Sequence, residues 1–316
     1  MFVGHAALAF AVAAGVTVAA GWDRDKALRL GVVAAAFGAV PDVDMAYAVL
    51  GFLGSGSIWG GVESFWEHST VTHRGITHSL IVGTVAAFGF GAAARSLLVS
   101  TVVLGSLVVG GVALGGSLTG GVALLFGLVG GGIGVVASRE FTARTVTGAA
   151  VLGLITHPFG DIFTGETPDF VYPLGFELFE DRVVLVSDAT LNLLGVFLLE
   201  LSVIWLGVYV YSRLRRRSVR SDIDLRALAG VFYVLAVPVI SPPTLDRSYH
   251  FVFTAVSVGV VGSLPLSTST LPSSVSDNEL KNPIGIDADS VYSATVTGLT
   301  GVTVAVLAYA VGYIAV

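Results

Sequence analysis

The sequence predicts an all-α fold, a multi-pass transmembrane helical bundle of about ten spans (eight to twelve). Only 12% of the 316 residues are charged and 54% are hydrophobic, whereas a soluble globular domain carries about 25% charged residues. Long apolar runs recur along the chain, and its 40 glycines are typical of helices that pack closely in lipid. The lipid bilayer is therefore the expected surroundings of most of this protein.

Ten apolar segments are long enough to span a bilayer, or nearly so, since a spanning helix needs about 20 residues. They are 3–21, 27–53, 75–94, 97–115, 119–137, 146–163, 189–211, 227–241, 250–266 and 295–316. The second is interrupted by Pro41-Asp42-Val43-Asp44, and the eighth and ninth are the shortest. The first lacks a basic segment before its apolar run, so we expect a retained span and not a cleaved signal peptide.

The basic residues are distributed unevenly between alternate loops. With the N-terminus outside, the outer loops hold three of the sixteen, Arg74, Arg182 and Arg247. The inner loops hold the other thirteen: Arg24, Lys26, Arg29, Arg95, Arg139, Arg144, Arg213, Arg215, Arg216, Arg217, Arg220, Arg226 and Lys281. Positive charge concentrates on the cytoplasmic side of membrane proteins. The pattern predicts a cytoplasmic-membrane protein with an extracytoplasmic N-terminus.

Four polar motifs fall on the predicted outer side of the apolar spans, where polar side chains need a reason. They are Gly4-His5, Pro41-Asp42-Val43-Asp44, His73-Arg74-Gly75-Ile76-Thr77-His78-Ser79 and His157-Pro158-Phe159-Gly160-Asp161. The chain has no cysteine, so any metal must be held by imidazole and carboxylate, which suit zinc or a similar divalent ion. The candidate ligands are His5, Asp42, Asp44, His73, His78, His157 and Asp161. Seven ligands exceed the needs of one ion, so we expect one or two.

The spacing of these residues leads to three local expectations. His157 and Asp161 are four residues apart and should share one helix face. Pro41 disfavours helix at Val40, so Asp42 and Asp44 should point the same way from a turn or extended stretch, in a recessed cavity. His73 and His78 are five positions apart, about 140° on a regular helix, so we expect His73 in the loop and His78 in the first helical turn.

Arg74 and Asp44 are the candidate catalytic residues. Arg74 could contact a phosphate oxygen through two N–H groups, and a carboxylate not used by metal, such as Asp44, could act as general base. Thr77 and Ser79 are expected to act as helix caps or as partners of the ligands. His68, with Glu63 and Glu67 in the loop 55–72, is either an eighth ligand or part of an interfacial segment.

These motifs, together with Ile155-Thr156 before His157, Ile162-Phe163-Thr164 after Asp161 and the later Tyr172-Pro173-Leu174, resemble those of the YdjM-type family of membrane-bound, metal-dependent hydrolases. The resemblance covers about residues 1–205, and the HRGxTHS-like block is its specific part. It implies metal ligation by the seven residues named above. The spans after Arg213 depart from shorter family members.

Three regions are therefore expected. Residues 1–212 form a metal-binding, hydrolase-like membrane domain, and 213–226 form a basic cytoplasmic linker that contacts anionic lipid. Residues 227–316 form a C-terminal transmembrane extension of unknown role. Nucleic-acid binding is not expected, and the sequence indicates no oligomeric state.

The leading hypothesis for function is a membrane-bound, metal-dependent hydrolase that acts on a phosphoester or lipid-like substrate at the outer leaflet. A divalent-metal transporter or sensor is the first alternative. It expects polar residues to continue toward the inner side, where the spans are rich in Ala, Val, Gly and Leu. A non-catalytic structural membrane protein is the second alternative.

Overall fold

A computed structural model describes residues 2–53, 56–69, 73–245, 248–263 and 288–316. Throughout these ranges the regular structure is helical, without strands, which confirms the predicted all-α class. The α-helices are α1 (Phe2–Ala19), α2 (Arg24–Ala39), α3 (Val49–Leu53), α4 (Ile58–Ser69), α5 (Leu80–Ala92), α6 (Leu97–Ala137), α7 (Ala143–Asp161), α8 (Ala189–Leu214), α9 (Tyr249–Ser263) and α10 (Ala288–Ala315). Segments of 3-10 helix lie at Val40–Ala48, Ile76–His78, Arg220–Asp222 and Leu225–Ala236.

Several of these helices can cross a bilayer. Four stretches of the described chain are long and apolar enough to do so: Arg24–Ala48, Leu97–Ala137, Ala189–Leu214 and Asp289–Ala315. Shorter apolar helices occupy Val3–Ala19, Leu80–Ala92, Leu225–Ala236 and Tyr249–Ser263. The predicted multi-pass bundle is confirmed. Arg247 and Lys281, which entered the charge count, lie outside the described residues, as does most of the polar segment 267–289.

Helix α6 is a hairpin and not a single rod. Gly116 has φ 79° and ψ −171°, a conformation available mainly to glycine, and it interrupts the helix. A Cβ built at Gly127 lies 3.6 Å from the Cβ of Leu104, although these residues would be about 35 Å apart in a straight helix. The arms 97–115 and 117–137 therefore lie side by side. They match the two spans predicted at 97–115 and 119–137.

The chain divides into two compact units. The first comprises residues 1–184 and 203–215, and the second comprises 185–202 and 216–316. The functional division into 1–212, 213–226 and 227–316 stays a prediction. In the second unit, Leu194, Phe197, Phe251, Val306 and Tyr309 form a buried core contributed by α8, α9 and α10.

In the first unit, α1, α2, α5, α6 and α7 surround an apolar core. Its buried members are Ala9, Ala13, Leu30, Ala34, Phe37, Val40, Ala86, Ala87, Phe90, Phe126, Ala137, Phe141, Val146, Ala149, Ala150 and Leu154. Glycines bring three of these helices together. A Cβ at Gly153 of α7 would lie 2.6 Å from the amide nitrogen of Gly38 in α2, and one at Gly38 would lie 3.0 Å from the carbonyl oxygen of His5 in α1. Small residues allow this backbone approach.

Basic residues of the first unit meet at the end where α2 begins. Arg29 pairs with Glu140, which precedes α7, and Arg215 lies 3.2 Å from Asp25. The four polar motifs lie at the opposite helix ends: the start of α1, the end of α2, the start of α5 and the end of α7. The unit thus has one basic end and one histidine–aspartate end.

Candidate metal centre

All seven predicted ligands converge in the first unit, linked by nitrogen–oxygen or nitrogen–nitrogen distances of 3.5 Å or less. Two sets of three have ligand atoms within 4.8 Å of one another. We call them the first triad (His5, His157, Asp161) and the second triad (Asp42, His73, His78). Asp44 belongs to neither triad. Each triad contains two imidazoles and one carboxylate.

His157 has one ring nitrogen fixed by the protein backbone. Its Nδ1 lies 2.6 Å from the carbonyl oxygen of Gly38, and because a carbonyl can only accept, Nδ1 must carry the proton. The other nitrogen, Nε2, then presents its lone pair to the site. Histidines that bind metal usually donate their second ring N–H in this way. The ring is fully buried, in the last turns of α7.

The Nε2 of His78 faces the Nε2 of His157 at 3.1 Å. The Nδ1 of His78 lies 2.9 Å from Thr77 Oγ1 and 3.3 Å from Asp44 Oδ2. Because the carboxylate can only accept, this Nδ1 also carries a proton. Two ring nitrogens this close repel unless a proton or a metal cation lies between them. The pair is therefore arranged for a positive ion.

Carboxylates complete this centre at similar spacing. Asp161 Oδ2 lies 3.1 Å from His78 Nε2 and 3.5 Å from His157 Nε2. Asp42 Oδ1 lies 3.4 Å from His157 Nε2. Ligands about 2.0–2.1 Å from a tetrahedral zinc ion are about 3.3–3.4 Å apart. The donor types and their spacing therefore both fit a divalent metal of the zinc kind.

His5 joins the centre from the first turn of α1. Its Nε2 lies 3.1 Å from Asp161 Oδ1, and its ring stacks on that of His157 with centroids 3.8 Å apart. Gly160 makes this approach possible, because a Cβ there would lie 2.5 Å from His5 Cε1. His157 and Asp161 share one face of α7, as their spacing predicted.

The segment with Asp42 and Asp44 differs from expectation. Helix α2 ends at Ala39, but a 3-10 helix follows, not a turn or extended stretch, and Val40 keeps helical angles (φ −62°, ψ −37°). Pro41 is tolerated at the start of this segment because a first-turn residue needs no N–H partner. His78 was expected in the first turn of α5, but it ends the 3-10 turn that precedes this helix. Ser79 caps α5, since its hydroxyl oxygen accepts from the amides of Ile81 and Val82.

Arg74 ties the His73–His78 loop to the end of α7. Its backbone is left-handed (φ 67°). Its guanidinium donates to the carbonyl oxygens of Asp161, Thr164 and Glu166, and to Thr164 Oγ1 at 2.9 Å. Arg74 NH2 also lies 3.6 Å from Asp161 Oδ1. The sequence offered no signal for these carbonyl contacts, because backbone acceptors leave no residue pattern.

A polar cavity of about 730 Å³ lies beside this loop. Its lining, from 165–182, includes Glu166, Asp169, Glu177, Glu180 and Asp181. The amide of Asp169 donates to the Arg74 carbonyl at 2.9 Å, which connects the cavity wall to the site. Burial, together with the like charge of Glu177, raises the pKa of the Asp169 carboxyl.

His68 lies outside both triads. It is in α4, a helix within the predicted loop 55–72, and its Nδ1 is 2.7 Å from the Ser64 carbonyl oxygen. Because this nitrogen is hydrogen-bonded within its own helix, His68 fits the interfacial-segment alternative better than the eighth-ligand alternative.

The family model of the YdjM inner membrane protein matches residues 1–241. This chain belongs to that family. The match covers all seven candidate ligands and continues past the basic run 213–226, further than the resemblance seen in the sequence. Comparison with curated proteins and with solved structures gives no match. The family and the apolar helices establish a membrane protein with a possible histidine–aspartate metal site.

Proposed function

We propose that this YdjM-family protein is a metal-dependent hydrolase that cleaves a phosphoester or lipid-like substrate at the outer leaflet. The observation that carries the proposal is the facing Nε2 pair of His78 and His157, with Asp161 within 3.5 Å of both. Catalytic zinc sites commonly use three protein ligands, two histidines and a carboxylate among them, and leave one position for water. Both triads have this composition.

The residues of the triads would hold one or two divalent ions, with zinc the best match to their chemistry. A bound ion of this kind supplies Lewis acidity and a water of lowered pKa, and two ions can clamp both sides of a phosphoester. Asp42 and His73 each keep 14% of their side chain exposed, whereas His78, His157 and Asp161 are at most 2% exposed. Substrate would therefore arrive over Asp42 and His73.

The predicted role of Arg74 as a phosphate ligand competes with its observed contacts. Its side chain is 11% exposed, and its NH1 group is shared among three carbonyls. Phosphate binding would have to use its remaining N–H groups. Arg74 therefore supports the site chiefly by fixing the chain after Asp161, and direct substrate contact stays a prediction.

The apolar floor of the site favours hydrolysis over transport. Phe37, Val40, Phe90, Ala150 and Leu154 are buried in the apolar core between the helices that carry the ligands. A transport path needs polar groups that continue toward the basic end, and these residues offer none. The basic end at the start of α2 supports an outer position for the site by the positive-inside rule.

The test uses the full chain in lipid nanodiscs. Zinc content per chain is measured by elemental analysis, and hydrolysis of bis(4-nitrophenyl) phosphate and of a phospholipid is followed before and after chelation. We expect one or two ions per chain and activity that chelation removes. His157→Ala should lower both, and His250→Ala, in the second unit, should change neither. Bound zinc without hydrolysis of either substrate, or zinc uptake into sealed vesicles, would contradict the proposal.

A further inference from the structure

Two aspartates of one short segment contact different partners. Asp42 Oδ1 lies 3.4 Å from His157 Nε2 and its side chain is partly exposed, whereas the Asp44 side chain is completely buried. A 3-10 helix has three residues per turn, so side chains two apart point about 120° from each other. Asp42 therefore faces the metal centre, and Asp44 faces the loop that carries His73 and His78.

Both oxygens of the Asp44 carboxylate already accept hydrogen bonds from the His73–His78 loop. Oδ1 accepts from His73 Nδ1 at 2.9 Å. Oδ2 accepts from Thr77 Oγ1 at 2.7 Å and from the Arg74 amide at 3.2 Å, with His78 Nδ1 at 3.3 Å. A carboxylate offers about four lone-pair sites. These donors already engage both oxygens and the side chain is completely buried, so Asp44 is poorly placed to take a metal ion or a substrate proton.

These contacts decide which ring nitrogen carries the proton. His73 Nδ1 must donate because its partner is a carboxylate. Thr77 gives its hydroxyl proton to Asp44, so its oxygen can accept from His78 Nδ1 at 2.9 Å. Both rings thus carry their proton on Nδ1 and leave Nε2 unprotonated. His157 has the same tautomer because its Nδ1 donates to the Gly38 carbonyl. A metal-binding imidazole needs such a partner to fix its tautomer and orientation.

We propose that Asp44 is a positioning residue that sets the Nδ1–H tautomers of His73 and His78, and that it neither binds metal nor acts as general base. Asp42, two residues earlier, is the ligand of the pair. The inference rests on the metal site of the proposed function but not on hydrolysis.

The decisive comparison is Asp44→Asn against Asp42→Asn in the full chain in detergent micelles. With Asn at 44, the amide can donate to Nδ1, which favours the ring proton on Nε2, and bound metal must then displace that proton at a cost in affinity. We expect zinc affinity to fall about 10–100-fold, as for other outer partners of metal ligands. The Co²⁺-saturated visible spectrum of Asp44→Asn should keep the wild-type bands, whereas Asp42→Asn should shift them because a ligand is lost.

A measurement on the wild-type chain guards against misfolding of the variant. Nitrogen-15 shifts of the six histidines in the zinc-loaded protein should show Nδ1–H and metal-bound Nε2 for His73 and His78. Metal-bound Nδ1 on either ring, or changed Co²⁺ bands in Asp44→Asn, would overturn the inference. If the tautomers and affinities behave as expected but no ester is cleaved, the hydrolase proposal fails and the role of Asp44 stands.

Discussion

Replacing Gly160 with alanine should displace the His5 ring from the metal centre. A Cβ at this position lies 2.5 Å from His5 Cε1 and 2.7 Å from His5 Nδ1. Non-bonded carbons normally stay about 3.5–4.0 Å apart, so the ring must move by about 1 Å. The contact of His5 Nε2 with Asp161 Oδ1, now 3.1 Å, would lengthen to about 4 Å and be lost.

The expected magnitudes follow from this displacement. Displacing His5, a candidate ligand, should lower zinc affinity by at least the loss of about 10–100-fold that is typical when a metal ligand loses an outer partner. Overpacking costs about 1–3 kcal/mol, and alanine returns about 1 kcal/mol relative to glycine within a helix. The free energy of unfolding of Gly160→Ala should therefore fall by about 0–2 kcal/mol. Binding is affected more than folding.

Zinc competition against a chromogenic chelator and thermal unfolding by circular dichroism measure the two effects. Gly148→Ala is the matched control, because Gly148 lies in the same helix with open space where its Cβ would be. That control should bind zinc as the wild type does and be equally or more stable. Wild-type zinc affinity in Gly160→Ala would refute the placement of His5 at the centre.

Three further outcomes are expected. Gly116→Ala should lower the free energy of unfolding by about 1–3 kcal/mol in a chemical or thermal melt, because its backbone conformation suits glycine, whereas Gly105→Ala, with open space in the same helix, should not. Arg74→Lys should lower both thermal stability and zinc content, because one ammonium cannot replace the contacts to three carbonyls. Arg95→Lys is the control and should change neither. If Arg74→Lys loses only hydrolysis, Arg74 serves only the substrate. His68→Ala should leave zinc content unchanged in elemental analysis, and a loss of one ion would make His68 a ligand.

The fold class and the ligand inventory could be predicted because each depends on local composition. Apolar run length marks helices in lipid, and a histidine or aspartate beside such a run stands out against its neighbours. The position of His157 and Asp161 on one helix face needed only the helical repeat. The two arms of α6 were separable because charge-free apolar sequence of that length exceeds one span.

The division of roles within the site could not be predicted in this way. Asp42 and Asp44 look alike in sequence, and only the 3-10 geometry turns one toward His157 and the other toward His73. The carbonyl partners of Arg74 depend on the path of the irregular segment that follows Asp161, which no residue pattern specifies. The prediction for Pro41 failed in detail because a proline in a first turn is compatible with helical angles, and tertiary packing can favour them.

Gly38 shows why stability and metal chemistry are coupled in this protein. Its lack of a side chain lets α1 approach at the His5 carbonyl, and the lack of one at Gly153 lets α7 approach the Gly38 amide nitrogen. Gly38 also supplies the carbonyl oxygen, 2.6 Å from His157 Nδ1, that directs Nε2 into the centre. A side chain at Gly38 would push α1, which carries His5, away from α2 and would also shift the carbonyl that fixes the His157 ring. The packing that holds the first unit together is therefore part of the site, so substitutions at this crossing should reduce stability and metal affinity together.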